Sequence, residues 1–111
     1  MNFFRTIFLP EALDFITSLI KAEAIKVLYN IDRSEQYKDP KVFKKIHPEI
    51  WEFRTKFNNK QIRILAFWDS RSKHDTLVVA ACGFIKKTSK IPRKEIKKVL
   101  VLKNNYFESN K

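Results

Sequence analysis

The first part of the chain has a short apolar run followed by a long helical pattern. Residues 3–8 are aromatic and β-branched, which predicts a first strand that stops before Pro10. From Pro10 to about residue 29, apolar side chains recur at helical spacing with charged residues between them. This pattern predicts an amphipathic helix with the proline in its first turn. Residues 30–38 are polar and are expected to form a connector.

The middle of the chain changes from a helical period to a period of two. Residues 39–48 begin with an Asp-Pro pair, a cap followed by a first helical residue, which predicts a short second helix. Aromatic and charged residues then alternate over residues 51–57, which predicts a half-buried strand, and residues 60–68 repeat the pattern. Asn58 and Asn59 lie between the two strands. They predict a two-residue turn, because asparagine tolerates positive φ better than most residues.

The last part of the chain predicts a central strand and a final helix. Residues 69–75 form a polar loop, and residues 76–85 are almost continuously apolar, as in a strand covered on both faces. Gly83 near the end of this strand marks a bulge, a close backbone approach or a packing constraint. Pro92 opens a last helix whose apolar positions can cover the sheet. The order strand, helix, short helix, three strands, helix predicts an α+β fold with a mainly antiparallel sheet.

The length and charge of the chain limit its organisation and its partners. With 111 residues, it is expected to form a single domain over residues 1–111. Its formal net charge is +11, from 23 Lys and Arg against 12 Asp and Glu, which favours an extended polyanion such as nucleic acid as a partner. A membrane partner is not expected, since no predicted helix pairs a wide apolar face with a purely cationic one. A role of this charge in solubility alone stays open.

Several classes of chemistry find no support in the sequence. Cys82 is the only cysteine, so no intrachain disulfide and no thiolate metal cluster can form, and a reducing compartment, the cytoplasm, is expected. The opening residues lack the pattern of a signal peptide, and no apolar stretch is long enough for a membrane span. No glycine-rich phosphate motif and no metal-spaced histidine pair is present, so neither a cofactor nor a metal is expected.

The candidate functional residues belong to two cationic features of the sequence. If Asn58 and Asn59 form a two-residue turn, Arg54 faces Arg63 on the non-core side of the hairpin, and such a like-charged pair favours a bound anion or screening by Glu52. The second feature is the run Lys-Lys-Thr-Ser-Lys at residues 86–90, which leaves the last strand and leads to a helix N-terminus, where phosphate is favoured. Each feature on its own could also be solvated surface.

A resemblance to a known family rests on residues 50 to 96. Three segments resemble the phage-derived Gp49-like, HigB-type branch of the RelE/ParE toxins. They are Ile-Trp-Glu-Phe-Arg at 50–54, Arg63 with the aromatic pair Phe67-Trp68, and Gly-Phe-Ile-Lys-Lys-Thr-Ser-Lys-Ile-Pro at 83–92 followed by Glu95-Ile96. The resemblance implies a RelE-like fold. It also implies a toxin that cleaves messenger RNA at the ribosome. A helix-turn-helix antitoxin would neutralise this toxin. The toxin would contact operator DNA only through the antitoxin.

The resemblance also implies roles for individual residues. The catalytic residues would be Arg54, Arg63, Lys86 and Lys87, with the arginines on the phosphate and a lysine at the leaving oxygen. Separately from the resemblance, Lys56, Lys90 and Arg93 are expected to bind RNA as further cations.

The general base and two other functions stay open at this point. Tyr106 is a candidate base, although a late aromatic residue more often packs, and His47 and His74 are candidates by chemistry only. A ParE-like inhibitor of DNA gyrase is the alternative within the same superfamily. A non-catalytic basic module that binds RNA or DNA is the alternative outside it.

Overall fold

A five-stranded sheet with helices on both faces organises the structure, a computed structural model that describes residues 2–74 and 76–110. The sheet order is β1-β5-β4-β3-β2, with β1 parallel to β5 and the other neighbours antiparallel. The predicted α+β class with a mainly antiparallel sheet is therefore confirmed. In chain order the elements are β1 (Arg5–Phe8), α1 (Pro10–Ser18), α2 (Lys21–Gln36), β2 (Phe43–His47), β3 (Ile50–Phe57), β4 (Lys60–Asp69), β5 (Leu77–Lys86) and α3 (Arg93–Ser109).

The predicted long helix is in fact two helices, and the predicted connector is part of the second. The chain becomes extended at Leu19 and Ile20, with ψ near 155° at both residues, before α2 begins. These two apolar residues continue the helical pattern and so hide the break. The polar residues after position 29 remain helical because their buried groups find partners. The Asn30 amide donates to Thr55 on β3 (3.0 Å), and the Ser34 hydroxyl donates to the Asn30 carbonyl (2.7 Å).

The predicted short helix over residues 39–48 is wrong, because this segment is a turn followed by strand β2. Asp39 does act as a cap, but its carboxylate accepts the Lys41 amide (2.9 Å) and closes a turn instead of starting a helix. An extended backbone then lets the Phe43 ring stack on Phe53 and Trp51, with centroids 4.4 and 4.9 Å apart. Aromatic packing between neighbouring strands thus decides the conformation of β2.

Two hydrophobic clusters lie on opposite faces of the sheet. On the first face, α1 and α2 pack against the sheet. The buried residues of this cluster are Phe4, Ala12, Ile16, Val27, Ile31, Phe53, Ile62, Ile64, Ala66, Val78 and Ala80. On the second face, α3 packs against the sheet, and the buried residues are Ile50, Leu65, Phe67, Val79, Ala81, Cys82 and Val99. Strand β5 contributes to both clusters, as predicted for a central strand.

Gly83 is a point of close approach between α1 and β5. A Cβ at this position would clash with the Phe15 ring and would lie 2.8 Å from Ile64 Cδ1. The bulge in β5 lies elsewhere, since Leu65 pairs with Cys82 and Ala66 with Ala80, which leaves Ala81 unpaired. A packing constraint, and not a bulge or a close approach of another backbone segment, therefore explains the glycine. No helix among the described residues is both long and apolar enough to cross a membrane.

Candidate functional site

The turn between β3 and β4 sets the register of the candidate site. Asn58 and Asn59 both have positive φ, 51° and 61°, as a two-residue type I′ turn requires. Arg54 consequently lies directly opposite Arg63, which confirms both the predicted turn and the predicted pairing. The hairpin end is also tied to α2, because the Glu23 carboxylate, buried on that helix, pairs with Lys60 Nζ at 2.9 Å.

The sheet pairing gathers five cations on one face near this turn. Gln61 of β4 pairs with Lys86 of β5, and Lys44 of β2 pairs with Glu52 of β3. Because paired residues, and residues two apart on a strand, lie on the same face, Lys44 and Lys86 share the face that carries Arg63. We call this surface the cationic face. It consists of Lys44, Arg54, Lys56, Arg63 and Lys86. It extends from the region that α3 covers towards the β3–β4 turn.

Glu52 holds the two arginines of the cationic face together. Its side chain is only 2% exposed, and its two carboxylate oxygens lie 3.3 Å from Arg54 Nε and 3.5 Å from Arg63 Nε. Burial raises the pKa of Glu52, while the charges of Arg63, Arg54, Lys86 and Lys44 oppose that rise. The carboxylate therefore lies between two guanidinium groups that would otherwise repel each other.

Arg54 and Arg63 differ in what they can still bind. Arg63 is 3% exposed, and burial is the main cause that lowers its pKa. Its Nη2 donates to Gln61 Oε1 (2.6 Å) and its Nη1 to the Ile62 carbonyl (3.4 Å). The Arg54 side chain is 30% exposed. Within residues 2–74 and 76–110 its Nη atoms have no hydrogen-bond partner. Arg54 is thus the guanidinium that can take an anion from solvent.

The lysines predicted at the site lie in different places. Lys86 is half-buried on the cationic face at the end of β5, and Lys56 is exposed on the same face. Lys87 is exposed and lines an adjacent groove instead. Lys90 is exposed in the following loop, where its carbonyl accepts the Thr88 hydroxyl at 2.8 Å. Arg93 is exposed at the first position of α3, and no recorded contact among the described residues joins it or Lys90 to the cationic face.

The groove beside the cationic face lies between the end of β5 and the start of α3. Its volume is about 300 Å³. We call it the β5–α3 groove, and it is lined by Phe84, Ile85, Lys87, Thr88, Pro92, Lys94 and Glu95. Phe84 connects it to the cationic face, because this residue pairs with Arg63 across β4 and β5.

Tyr106 belongs to a structural cluster away from the cationic face. Its hydroxyl donates to Asp69 Oδ2 (2.8 Å), and its ring packs against Phe67. Burial, followed by the Asp69 hydrogen bond, raises its pKa. Asp69 lies six residues beyond Arg63 along β4, roughly 20 Å at strand spacing. Tyr106 is therefore in the wrong place to act as a base for Arg54, and the packing explanation fits it.

The remaining candidate groups also have structural surroundings. His47 Nδ1 accepts the Glu49 amide (3.3 Å), and His74 is exposed in the loop before β5. Cys82 is buried, and that burial raises the pKa of its thiol to about 11. Such a thiol is a poor nucleophile near neutral pH. In the part of the chain that the structure describes, His, Cys, Asp and Glu form no group of three or more that could hold a metal ion.

Sequence reasoning did not identify Lys44 or Phe84 as residues of this site. It also did not predict that Glu52 lies buried at its centre. Lys44 was assigned to a helix, and only its place on β2 puts it opposite Glu52. Glu52 was recognised as a possible screen for the arginines but not as a buried residue. The alternation of charge along 51–57 was the available signal. It shows which side chains share a face and not how deeply that face is buried.

A comparison with protein-family models identifies the family of this chain. Residues 14–104 match the family described as phage-derived protein Gp49-like (DUF891). The chain belongs to this toxin-like family, which confirms the Gp49-like part of the resemblance. No curated protein matches the chain.

Proposed function

We propose that the protein is an RNA-cleaving toxin of the RelE/HigB type that acts on messenger RNA at the ribosome, in the cytoplasm. The observation that supports this best is the cationic face, where two arginines converge on one buried carboxylate and Arg54 keeps its outer nitrogens available. An exposed guanidinium fork matches the geometry of a phosphate, and Lys44 and Lys86 add positive charge on either side. Membership of a toxin-like family supports the same function.

The chemistry would be an attack of a ribose 2′-hydroxyl on the adjacent phosphorus. A bond forms between the 2′-oxygen and phosphorus, and the bond to the 5′-oxygen of the next nucleotide breaks. The products are a 2′,3′-cyclic phosphate and a free 5′-hydroxyl. Arg54 would bind the non-bridging oxygens as negative charge grows on them. The proton of the 2′-hydroxyl would pass to water, and Lys86, on the same face, would give its own proton to the departing oxygen.

Arg63 and Glu52 would act as positioning residues in this scheme. Arg63 is buried and donates to Gln61 and to a backbone carbonyl, so its effect on RNA passes through Glu52 and Arg54. A fixed guanidinium loses less freedom when phosphate binds, which favours catalysis by preorganisation.

We further propose that a helix-turn-helix antitoxin neutralises the protein. A net charge of +11 favours an acidic surface on such a partner, because complementary charge speeds encounter and fixes orientation. Co-expression of a helix-turn-helix protein, if an adjacent reading frame encodes one, should then restore growth, and the two proteins should purify together.

The direct test compares Arg54→Ala with Arg33→Ala during induced expression in bacterial cells. Both changes remove one exposed or half-exposed arginine, but Arg33 lies on α2, on the opposite side of the sheet. We expect wild type and Arg33→Ala to arrest growth and to create new RNA 5′ ends within messages. Arg54→Ala should lower the cleavage rate roughly 100-fold, the usual effect of losing one donor to transition-state charge.

Thermal melting of all three proteins serves as the control for folding. Undiminished cleavage by a folded Arg54→Ala protein would contradict the proposed site. Intact messages together with DNA damage in expressing cells would favour the gyrase inhibitor instead. Intact messages without growth arrest would favour a non-catalytic basic module.

A further inference from the structure

The β5–α3 groove has the shape of a site for a flat ring. Phe84 and Pro92 give it apolar walls, and its volume of about 300 Å³ lies within the range of small-ligand sites. Phe84 is only half-buried and adjoins Arg63 on β4, so a ring stacked on it would lie two strands, roughly 10 Å, from Arg54 on β3. Aromatic side chains that stack single bases are a common way of binding unpaired RNA.

Glu95 gives the groove a specific polar group. It lines the groove, and its Oε2 is buried with no hydrogen-bond partner among the described residues. An unpartnered buried carboxylate oxygen is unfavourable, so a ligand that supplies N–H donors would be stabilised there. Rotation about the broad terminal torsion of glutamate can turn both oxygens towards such a ligand.

The cations at the groove are placed to bind the phosphate backbone of RNA and not a nucleobase. Lys87 and Lys94 are both exposed and line the groove. Lysines of this kind attract phosphate as point charges without reading sequence. The groove therefore combines an apolar wall, one hydrogen-bond acceptor and two flanking cations.

We propose that the β5–α3 groove binds the nucleobase beside the scissile phosphate and prefers guanine, with Phe84 as the stacking surface and Glu95 as the acceptor. Guanine carries two adjacent N–H donors, at N1 and N2, which match the two oxygens of a carboxylate. Uracil has one N–H donor, and it lies between two carbonyl oxygens. A carboxylate that accepts from this N–H is repelled by these two oxygens. The inference rests on the proposed function for the identity of the ligand as RNA.

Nucleotide binding tests this preference without any cleavage. The full-length protein is titrated with 5′-GMP and with 5′-UMP while the NMR signals of the Phe84 ring are followed. We expect GMP to bind roughly tenfold more tightly than UMP, the discrimination that a good bidentate pair supplies. Phe84→Leu keeps an apolar side chain but removes the ring, so it should weaken the binding of both nucleotides roughly tenfold.

Glu95→Gln is the specific variant, and Asp32→Asn is its matched control. Each removes one negative charge, but Asp32 is exposed on α2, on the other side of the sheet. Glu95→Gln should abolish the preference for GMP, because an amide offers one donor and one acceptor. Asp32→Asn should keep it. A preference for GMP that survives in Glu95→Gln, or equal affinities in wild type, would overturn the inference.

The outcome is separable from that of the proposed function. If the protein cleaves RNA but binds GMP and UMP equally, the toxin function holds and the base preference fails. If GMP binds in the groove and no RNA is cut in cells, the base site holds and the nuclease function fails.

Discussion

The buried ion pair of Glu52 and Arg63 is costly to build, so its value lies in what it positions. Both side chains are almost fully buried, and removing charges from water costs more than an isolated pair usually returns. Glu52 Oε2 and Arg63 Nε also lie 3.5 Å apart, and both are without a hydrogen-bond partner among the described residues. The pair is thus better explained as a fixed support for Arg54 than as a source of stability.

Removal of one member of this pair should therefore destabilise the protein strongly. Arg63→Leu leaves the Glu52 carboxylate buried beside a single guanidinium, and we expect the free energy of unfolding to fall by about 3 kcal/mol. Urea denaturation followed by circular dichroism measures this change.

Removal of both members should cost less than removal of one. In Glu52→Leu combined with Arg63→Leu no buried carboxylate is left, so the double variant should be more stable than Arg63→Leu alone. Arg33→Ala, at an exposed side chain on α2 away from Glu52, serves as the control and should change stability by less than about 1 kcal/mol. A double variant that is less stable than Arg63→Leu would contradict this expectation, because it would mean that the buried Glu52 carboxylate stabilises the protein even without Arg63.

At the level of elements, the contact between α1 and β5 depends on Gly83. A methyl group there meets the Phe15 ring and Ile64 Cδ1, both of which belong to the first hydrophobic cluster. We expect Gly83→Ala to lower the free energy of unfolding by roughly 2 kcal/mol, as overpacking of a dense core usually does. Chemical denaturation measures the change.

A second substitution distinguishes overpacking from a loss of backbone freedom. Phe15→Leu shortens the side chain that the new methyl would meet, so Gly83→Ala should cost less in that background than in wild type. An equal cost in both backgrounds would refute the clash with Phe15. The backbone of Gly83 is not in the positive-φ region, so conformational freedom is not the expected cause.

The elements that sequence alone predicted are those with a local signal. Asn58 and Asn59 specify a turn by their own backbone preference, and the turn length then fixes which residues face each other. Strand β5 was predictable because a continuous apolar run of this length suits a strand covered on both sides.

The elements that sequence did not predict depend on distant partners. An aspartate can cap a helix or close a turn with the same oxygen, and in β2 the stacking of Phe43 on Phe53 makes the difference. The break between α1 and α2 falls on two apolar residues that continue the helical period, so nothing in the pattern reveals it. The depth of Glu52 was equally hidden, because it depends on the side chains that the neighbouring strands bring beside it, among them Lys44, Arg63 and Lys86.

At the scale of the whole molecule, the net charge of +11 and the local site make different contributions to binding. The overall field attracts any polyanion and speeds its approach, and many scattered lysines share in that effect. A catalytic site instead needs a few contacts of fixed geometry. The dependence of RNA affinity on salt separates the two, because each neutralised phosphate releases counterions.

We expect Arg54→Ala to reduce the steepness of the salt dependence by about 0.7 in log affinity per log salt concentration, the value for one contact with a single strand. Fluorescence anisotropy with a labelled, 2′-O-methylated RNA measures this without cleavage. Arg33→Ala, which removes the same charge on the opposite side of the sheet, should leave the slope nearly unchanged. Equal changes in slope for the two variants would mean that phosphate is bound diffusely over the surface. Such binding is what a non-catalytic basic module requires, and it would leave the convergence of Arg54 and Arg63 on Glu52 without a role in RNA recognition.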